Sequence, residues 1–434
     1  MIVPIEGFSK LTKEQKLDWI TSNYTSNPET AKTLLKRYWN QSPELQRLHD
    51  EFIENTITNF YLPLGIAPNF LINGKLYAIP MAIEESSVIA AASKAAKFWL
   101  HRGGFKTRVL GTEKIGQVHF MYYGKFEKLK TFFTQVRPRL LADTTALTKN
   151  MEQRNGGITS MELRDRSSLL ENYYQLHVTF ETLDAMGANF INSCLEQLGG
   201  SLKREASEHK EFTPREGNLE IVMSILSNYV PNCLVRAEVE CPVGELNDGN
   251  DFAQKMVRAV NIAQIEPHRA VTHNKGIMNG IDAVVLATGN DFRAVEAGVH
   301  AFAAKDGSYT SLTKATIEDG MFKFWMEIPL SLGTVGGLTS LHPLSKLALE
   351  ILQRPSAKEL MQIVAVAGLA QNFAAVRSLV TTGIQQGHMK MHLMNILNQL
   401  GATENEKNSV VEHFKKRTVS HSAVVEVLQE LRRG

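Results

Sequence analysis

Residues 267–300 concentrate polar side chains that could perform acid–base or electrostatic chemistry. Arg269, Lys275, Asn279 and Asp291 lie there between short apolar or glycine-containing segments. Polar groups placed between buried segments need partners or a function. If the chain folds back so that Lys275 meets Asp291 in a dry pocket, the lysine stays protonated and can stabilise an oxyanion forming on a carbonyl. The same residues also fit a structural Lys–Asp ion pair, and this stretch alone does not separate the two hypotheses.

Two glutamates, Glu84 and Glu85, lie at the start of an alanine-rich segment. Residues 82–97 are predicted to form a helix whose small side chains pack against close neighbours. A carboxylate at a helix start is commonly a surface cap that interacts with the helix dipole. A general acid that works near neutral pH would instead need a raised pKa, which burial or a second carboxylate such as Asp291 would supply.

A strand, a glycine-containing turn and a helix are predicted around residues 173–200. The turn comprises residues 184–192, and the helix is predicted to end at Gly199 and Gly200. This arrangement can hold a phosphate at the helix start. The chain lacks the GxGxxG fingerprint of dinucleotide-binding sites, so the spacing by itself indicates a nucleotide site only weakly.

The composition is that of a soluble globular protein with two or three domains. The chain has 434 residues, 43% of them hydrophobic and 21% charged, with a net charge of +2, which gives nucleic acid no electrostatic attraction. Three cysteines without a CxxC pair predict neither a disulfide framework nor a zinc site. Residues 1–16 lack the apolar core of a signal peptide, and the apolar segment 363–376 is interrupted by Gln371 and Asn372 and is predicted to fall short of a membrane span. These features predict a cytoplasmic protein.

Periodicity and turn residues predict a mixed α/β fold. Thr12, Asn27 and Ser42 carry helix-start signals, and Asn73 with Gly74 predicts a hairpin. The apolar run 283–289 fits either a short buried strand or the end of a helix, with Asn290 as the N-cap of the next helix. Further strands are predicted at residues 116–123, 173–180, 219–226 and 234–243, and further helices after Ser356 and at residues 391–400, 404–414 and 423–432.

Nine segments, taken in order, resemble those of one enzyme family. They are IEN (53–55), EE (84–85), DAMGAN (184–189), LSN (226–228), THNKGIMNGI (272–281), ATGNDFRAVEAG (287–298), TVGG (334–337), GLAQN (368–372) and GIQQGHM (383–389). The residues of these segments and the order of the segments along the chain resemble those of the class II, soluble bacterial-type 3-hydroxy-3-methylglutaryl-coenzyme A (HMG-CoA) reductases.

The resemblance implies a four-electron, two-hydride interconversion of HMG-CoA and mevalonate plus coenzyme A, as in isoprenoid synthesis. It implies Glu85, Lys275, Asp291 and His388 as catalytic residues. Lys275 would stabilise the oxyanion, Asp291 would orient Lys275, and Glu85 would manage the proton at the carbonyl. His388 would protonate the departing thiolate, although a lone histidine after a glycine is most often a surface or capping residue.

The resemblance also implies the binding residues. Arg269 and Ser87 would hold the substrate carboxylate, and Asn279 would support Lys275. The nicotinamide cofactor would contact Asp184, Met186, Gly187, Ala188, Asn189 and Asn228. Residues 141–149 show no clear counterpart of the acidic residue that meets the ribose hydroxyls in NADH-using relatives, and such an acid would repel a 2′-phosphate. NADPH is therefore favoured over NADH. This preference would reverse if Asp143 aligned with the acidic residue of the NADH-using relatives.

The implied fold is a large α/β domain built around a central helix, identified with the one after Glu85. It would comprise residues 1–111 and 231–382, with an inserted non-Rossmann cofactor domain at 112–230 and a C-terminal helical flap at 383–434. Family members are homodimers or assemblies of dimers with active sites at the subunit interface. No nucleic-acid or membrane partner is implied.

Two departures and two alternatives qualify the resemblance. Relatives often have ENVIG where this chain has ENTIT (54–58), and proline where it has Ser86. An acyl-CoA aldolase or thioesterase without a redox cofactor would explain the central stretch but not DAMGAN. A binding protein that has lost catalysis is disfavoured because all four implied catalytic residues are present.

Overall fold

The computed structural model of the chain describes residues 4–246, 249–381, 393–414, 417 and 419–433. The strands are β1 (Leu64–Ile72), β2 (Lys75–Ala82), β3 (Lys106–Val109), β4 (Lys114–Met121), β5 (Gly157–Asp165), β6 (Tyr173–Glu181), β7 (Glu220–Ser227), β8 (Leu234–Pro242), β9 (Thr313–Glu318) and β10 (Met321–Pro329). The helices are α1 (Lys13–Tyr24), α2 (Pro28–Arg37), α3 (Pro43–Asp50), α4 (Val88–Leu100), α5 (Phe126–Asp143), α6 (Thr145–Glu152), α7 (Ala188–Ser207), α8 (Pro214–Gly217), α9 (Gly249–Ile265), α10 (Pro267–Ala287), α11 (Phe292–Ala303), α12 (Leu338–Leu341), α13 (Pro343–Ile351), α14 (Ala357–Val380), α15 (residues 393–399), α16 (Glu404–Phe414) and α17 (His421–Arg433).

The residues up to Pro63 form one compact unit that contains α1, α2 and α3. All three predicted helix starts are confirmed. Thr12 forms a capping box with Gln15, while Asn27 and Ser42 each accept a backbone N–H ahead of a proline at the first helical position. Capping therefore sets the helix boundaries in this unit, as the sequence indicates.

The unit from Leu64 onward is organised around α14. Residues 363–373 of this helix are buried without exception, and α10, α4, α9 and β8 pack against it. The prediction that the alanine-rich helix α4 is central is wrong, because α4 is amphipathic and exposes Ala90, Lys94 and Lys97. Alanine exposes little apolar area, so a run of alanines does not require burial on every face.

Helices α10 and α14 approach each other closely through two glycines. A Cβ on Gly280 would collide with the Ala367 carbonyl, and a Cβ on Gly368 would lie 2.7 Å from Ile281 Cγ1. Helix α14 is long and apolar enough to cross a membrane, which corrects the expectation that this segment falls short. However, 67% of its most apolar window is buried inside the protein, as expected for a core helix.

Strands β5, β6, β4 and β7 form an antiparallel sheet in that order, packed against α5 and α7. The antiparallel pairing distinguishes this sheet from the parallel sheet of a Rossmann fold. The prediction that α7 ends at Gly199 and Gly200 is wrong, because the helix continues to Ser207. A Cβ on Gly199 would lie 3.0 Å from Ser224 Oγ, so this glycine allows the helix to approach the sheet.

Three separate hydrophobic clusters hold the described residues after Leu64 together. The first cluster contains residues from 67–115 and 230–376 and includes the sheet whose strand order is β3-β8-β10-β9. The second cluster contains residues from 118–219, and the third contains residues from 393–428. The domain limits implied by the resemblance stay a prediction. The resemblance placed residues 1–63 in the large domain, whereas the unit ending at Pro63 is compact by itself.

Two local expectations near the reactive stretch need correction, and one alternative is settled. Strand β2 runs through Ala82, and the following helix begins only at Val88, because Ser87 adopts a left-handed conformation with φ 76°. Residues 283–287 are the end of α10, which was one of the two structures predicted for this run. The N-cap of α11 is Asp291, not Asn290.

Candidate active site

The residues predicted to act on the substrate lie in one cleft, termed here the lysine cleft. Its volume is about 450 Å³, and its walls come from the β2–α4 connection, α10 and α14. The predicted residues in its lining are Glu85, Ser87, Arg269, Lys275 and Asn279. Side chains far apart in the sequence thus converge because α10 and the connection before α4 both pack on α14.

Lys275 is paired with Glu85 within this cleft. Its Nζ lies 2.5 Å from Glu85 Oε2, and the two side chains are 59% and 38% exposed. An ion pair this accessible contributes at most about 1 kcal/mol to stability. The pair therefore has little structural value in the single chain, and the cleft is wet there, not dry as the sequence led us to expect.

The other predicted substrate residues surround this pair. Asn279 Nδ2 donates at 3.4 Å to Glu85 Oε2, the same oxygen that pairs with Lys275. Arg269 lies one and a half turns before Lys275 on α10 and is half-buried, and burial lowers the pKa of its guanidinium. Ser87, in its strained backbone conformation, faces the same cleft.

A second cleft, termed here the DAMGAN cleft, has a volume of about 500 Å³. It is formed by the turn before α7, the turn between α10 and α11, and residues 333–339. The predicted residues in its lining are Met186, Gly187, Ala188, Asn189 and Asp291. The N-terminus of α7 opens into it, with Gly187 as its N-cap at φ 86°.

Asp291 belongs to the DAMGAN cleft and does not meet Lys275 in the same chain. Its Oδ1 accepts the backbone N–H groups of Arg293 and Ala294, both at 3.1 Å, and lies 3.4 Å from Arg293 Nε. Twelve residues of α10 separate Lys275 from Ala287, which corresponds to about 18 Å along the axis. Lys275 therefore lies near the middle of α10, and Asp291 lies beyond the C-terminal end of that helix.

Asp184 and Asn228 lie beside the DAMGAN cleft and have structural contacts. Asp184 Oδ1 accepts the N–H of Ala357 at 2.7 Å, which fixes the first turn of α14. Its carbonyl accepts the N–H of Thr334 at 2.8 Å. The Asn228 carbonyl lies against α11, where a Cβ on Gly298 would come within 2.5 Å of it. His388 lies outside the described residues.

Sequence reasoning missed Lys114, a buried cation beneath the DAMGAN turn. Its side chain donates to Thr182 Oγ1 and, at 2.8 Å, to the Ala185 carbonyl, and the residue is only 4% exposed. Burial lowers the pKa of its ammonium group. The sequence feature that could have identified it is a lysine at the first position of β4, where the neighbouring residues are buried.

A carboxyl pair lies on α10 and α11, between the two clefts. Asp282, seven residues after Lys275, approaches Glu296 closely enough to share a hydrogen bond, which requires a proton on one of them. Burial and the neighbouring Glu296 raise the pKa of Asp282 to about 8. The sequence placed Asp282 in the reactive stretch but gave no reason to pair it with Glu296.

Comparisons with known proteins agree with this geometry. The family model described as hydroxymethylglutaryl-coenzyme A reductase matches residues 13–393. The chain is 37% identical over 435 residues to the 3-hydroxy-3-methylglutaryl-coenzyme A reductase of Archaeoglobus fulgidus, covering 99% of this chain and 94% of that protein. It is 36% identical over 398 residues to the probable reductase of Borreliella burgdorferi, covering 88% of each chain.

Solved structures show the same relationship. A reductase from Streptococcus pneumoniae superimposes with a TM-score of 0.73 at 34% identity, covering 99% of this chain and all of that one. A class II reductase structure from the same organism, bound to NADPH in open conformations, gives a TM-score of 0.72 at 34% identity, covering 93% of this chain and 99% of that one. The aldolase or thioesterase alternative finds no support among these relatives. The chain therefore belongs to the hydroxymethylglutaryl-coenzyme A reductase family.

Proposed function

We propose that this protein reduces HMG-CoA with two molecules of NADPH and two protons to mevalonate, coenzyme A and two NADP⁺, in the cytoplasm. The single observation that carries the proposal is the Lys275–Glu85 pair at 2.5 Å in a cleft also lined by Arg269 and Ser87. This set combines an ammonium group for a developing oxyanion, a carboxyl group for the proton, and donors for the substrate carboxylate.

Lys275 stabilises negative charge on the carbonyl oxygen in each reductive step. The adjoining Glu85 is the group through which a proton reaches or leaves that oxygen when the thiohemiacetal collapses to the aldehyde. Asn279 orients Glu85 through its 3.4 Å hydrogen bond. Arg269 binds the terminal carboxylate with its planar guanidinium, and Ser87 adds a hydroxyl donor. His388, in the proposed flap, protonates the thiolate of coenzyme A.

The DAMGAN cleft fits a nicotinamide dinucleotide. A Cβ at Gly187 would lie 2.5 Å from Thr182 Cγ2, so the turn before α7 closes tightly only with glycine and leaves backbone N–H groups facing the cleft. A helix N-terminus of this kind favours a phosphate. Met186 to Asn189 would hold the cofactor, with Asp184 and Asn228 supporting the turn from outside. NADPH, when bound, supplies the hydride.

The surroundings of Asp143 favour NADPH over NADH. Its carboxylate accepts hydrogen bonds from Ser201 Oγ, at 2.7 Å, and from Arg204, and these contacts lower its pKa. Because Arg204 already neutralises this carboxylate, it does not repel a 2′-phosphate as an unpaired acid would.

The separation of the two clefts supports a homodimer with composite active sites. Hydride transfer requires van der Waals contact between donor and acceptor carbons, whereas about 18 Å of helix α10 separates Lys275 from Ala287, the last helical residue before Asp291. The lysine cleft of one subunit would therefore meet the DAMGAN cleft of the other, and the second subunit would exclude water from the exposed Lys275–Glu85 pair. Asp291 of that second subunit would then complete the acid pair beside Lys275.

A spectrophotometric assay tests the proposal. Purified protein is mixed with HMG-CoA and either NADPH or NADH, and oxidation of the nicotinamide is followed together with release of free thiol. We expect two NADPH oxidised for each thiol released, and a lower kcat/KM with NADH. Thiol release without oxidation of either cofactor would contradict the reductase assignment and favour a thioesterase or aldolase.

A further inference from the structure

Gly276, beside Lys275 near the middle of α10, is a glycine that packing does not explain. Four other glycines inside helices would each place a Cβ 2.4–3.0 Å from a neighbouring atom, which accounts for their missing side chains. They are Gly199, Gly280, Gly298 and Gly368. A Cβ on Gly276 would meet no atom of the described residues within 4 Å, its own adjoining helix backbone aside. Because glycine inside a helix is less stable than alanine, this position loses stability without a gain in packing.

The open space at Gly276 belongs to the lysine cleft. Arg269, Thr272, Gly276 and Asn279 all line this cleft, and their spacing of three or four residues places them on one face of α10. Side chains project from this face before and after Gly276, whereas Gly276 itself projects nothing. The wall therefore has a depression at this position, termed here the Gly276 notch.

The reactive pair of the cleft lies beside the Gly276 notch. Lys275 Nζ and Asn279 Nδ2 contact the same oxygen, Glu85 Oε2, at 2.5 and 3.4 Å. Lys275 and Asn279 precede and follow Gly276 on α10, so the Glu85 carboxylate lies against the turn that contains the notch. A substrate carbonyl held by Lys275 therefore brings the adjoining carbons of its acyl chain to the notch.

The acyl chain of HMG-CoA is widest at C3, which carries both a methyl and a hydroxyl group. C3 is two bonds from the thioester carbon, which Lys275 serves, and two bonds from the carboxyl carbon, which Arg269 serves. The notch has no side chain that could pair with a hydroxyl group, so it suits the methyl group. The helices that form the other walls add small apolar side chains to the cleft lining, namely Ala90, Ala91, Ala374 and Ala375.

We propose that the Gly276 notch receives the methyl group on C3 of the acyl chain, so that Gly276 is a specificity-determining residue that favours 3-methyl-branched over unbranched 3-hydroxyacyl thioesters. This inference rests on the proposed function, since it concerns the same substrate cleft. One methyl group in a matching apolar pocket changes kcat/KM by about 10-fold or more. A side chain at position 276 would occupy the space that this methyl group needs.

The test compares HMG-CoA with 3-hydroxyglutaryl-CoA, which has hydrogen in place of the methyl group, as substrates for NADPH oxidation. The wild type should have a kcat/KM about 10-fold higher for HMG-CoA. In Gly276→Ala, kcat/KM for HMG-CoA should fall by about 10- to 100-fold, because two methyl groups then compete for one space. For 3-hydroxyglutaryl-CoA it should fall by no more than about threefold, so the preference disappears or reverses.

Thermal unfolding separates this role from a structural one. Alanine is the better helix former and meets no atom at position 276, so Gly276→Ala should raise Tm, by about 1 °C, while it lowers activity. Gly200→Ala is the matched control, because Gly200 lies inside α7 and a Cβ there also meets no atom within 4 Å. The control should raise Tm similarly and keep the wild-type kcat/KM for both substrates.

Three results would overturn the inference. They are equal kcat/KM for the two substrates in the wild type, an unchanged preference in Gly276→Ala, and equal losses on both substrates in that variant. Equal losses would mean that the space serves something other than the methyl group, such as contact with the second subunit. Failure of the wild type to reduce HMG-CoA at all would instead contradict the proposed function.

Discussion

The lysine cleft and the DAMGAN cleft are built in different ways. The lysine cleft presents charged and polar side chains from long helices, α10 and α14, and from one short connection. The DAMGAN cleft is built largely from turns and helix starts, with positive φ at Gly187, Gly289 and Gly336. One cleft therefore depends on which side chains are present, and the other on backbone conformation that only glycine adopts readily.

The difference has a consequence for catalysis. Side chains on rigid helices hold an ammonium group and a carboxyl group at a fixed separation, as proton transfer and charge stabilisation require. Turns and helix starts of this kind suit a large anionic ligand. Because Lys275 lies near the middle of α10 and the DAMGAN cleft lies beyond the C-terminal end of this helix, variants in the two clefts should differ in character.

The largest expected effect comes from removing one catalytic group in each cleft. Lys275→Ala and Asp291→Ala should each abolish turnover, because each removes charge needed in the transition state. When the two inactive variants are unfolded and refolded together, mixed dimers should regain roughly one quarter of wild-type activity, since one of two sites in half of the dimers is intact.

Separate refolding of each variant is the control and should give no activity. Absence of recovery in the mixture, with mixed dimers demonstrated by differential tagging, would mean that the two clefts act within one chain. Substantial activity of Lys275→Ala alone would remove the lysine from the mechanism.

Gly187→Ala should damage the DAMGAN cleft selectively. The added Cβ would lie 2.5 Å from Thr182 Cγ2 and force an L-residue to φ 86°. Backbone strain of this type costs about 1–3 kcal/mol, so kcat/KM for NADPH should fall by about 10- to 100-fold, while binding of HMG-CoA, measured calorimetrically, should change little.

Gly200→Ala, on the same helix but with open space at its Cβ, is the control and should leave cofactor kinetics unchanged. If Gly187→Ala weakened HMG-CoA binding as much as it weakened NADPH kinetics, the two clefts would not be functionally separate.

Lys114→Met should have a smaller effect of the same kind. The substitution keeps the length of the side chain but removes the donor to Thr182 and Ala185, so the turn before α7 loses its support from below. We expect KM for NADPH to rise by about 5- to 10-fold, because a buried hydrogen bond to a charged group contributes about 1.5 kcal/mol. An unchanged KM for NADPH in a correctly folded variant would show that Lys114 serves stability alone.

The smallest effect concerns the pH dependence of stability along α10. His273 has a folded pKa of about 3 against a model value of 6.5, so the unfolded state binds more protons between these values and stability rises with pH there. Asp282 has a folded pKa of about 8 against 3.8, so the folded state binds more protons and stability falls as pH rises toward 8. Of these two groups, only Asp282 still changes the free energy of unfolding with pH above pH 6.5.

Asp282→Asn should therefore gain stability relative to the wild type as the pH rises from 5 to 8, because the side chain of asparagine does not titrate. Urea unfolding at several pH values measures this difference in stability. Asn279→Asp is not a suitable comparison variant, because Asn279 contacts Glu85. A difference in stability that does not change between these pH values would contradict the shared-proton account of Asp282 and Glu296.

Predictions from local sequence patterns were correct where interactions between residues close in the sequence determine the structure. The helix starts at Thr12, Asn27 and Ser42 and the hairpin at Asn73 were predicted from capping and turn chemistry, which act over two to four residues. The same reasoning failed at Gly199, where a glycine that looked like a helix end instead allows close packing on the sheet. It also failed for α4, whose alanines do not specify which face is buried.

The sequence by itself determined the family, because long motifs such as those around Lys275 and Asp291 can be recognised without knowing how the chain folds. Only the tertiary structure decided that Lys275 pairs with Glu85 and that Asp291 caps α11 beyond the C-terminal end of α10. The physical reason is that these contacts join segments up to 190 residues apart. Such contacts are set by how whole helices pack, through glycines such as Gly280 and Gly368, and no local pattern encodes that packing.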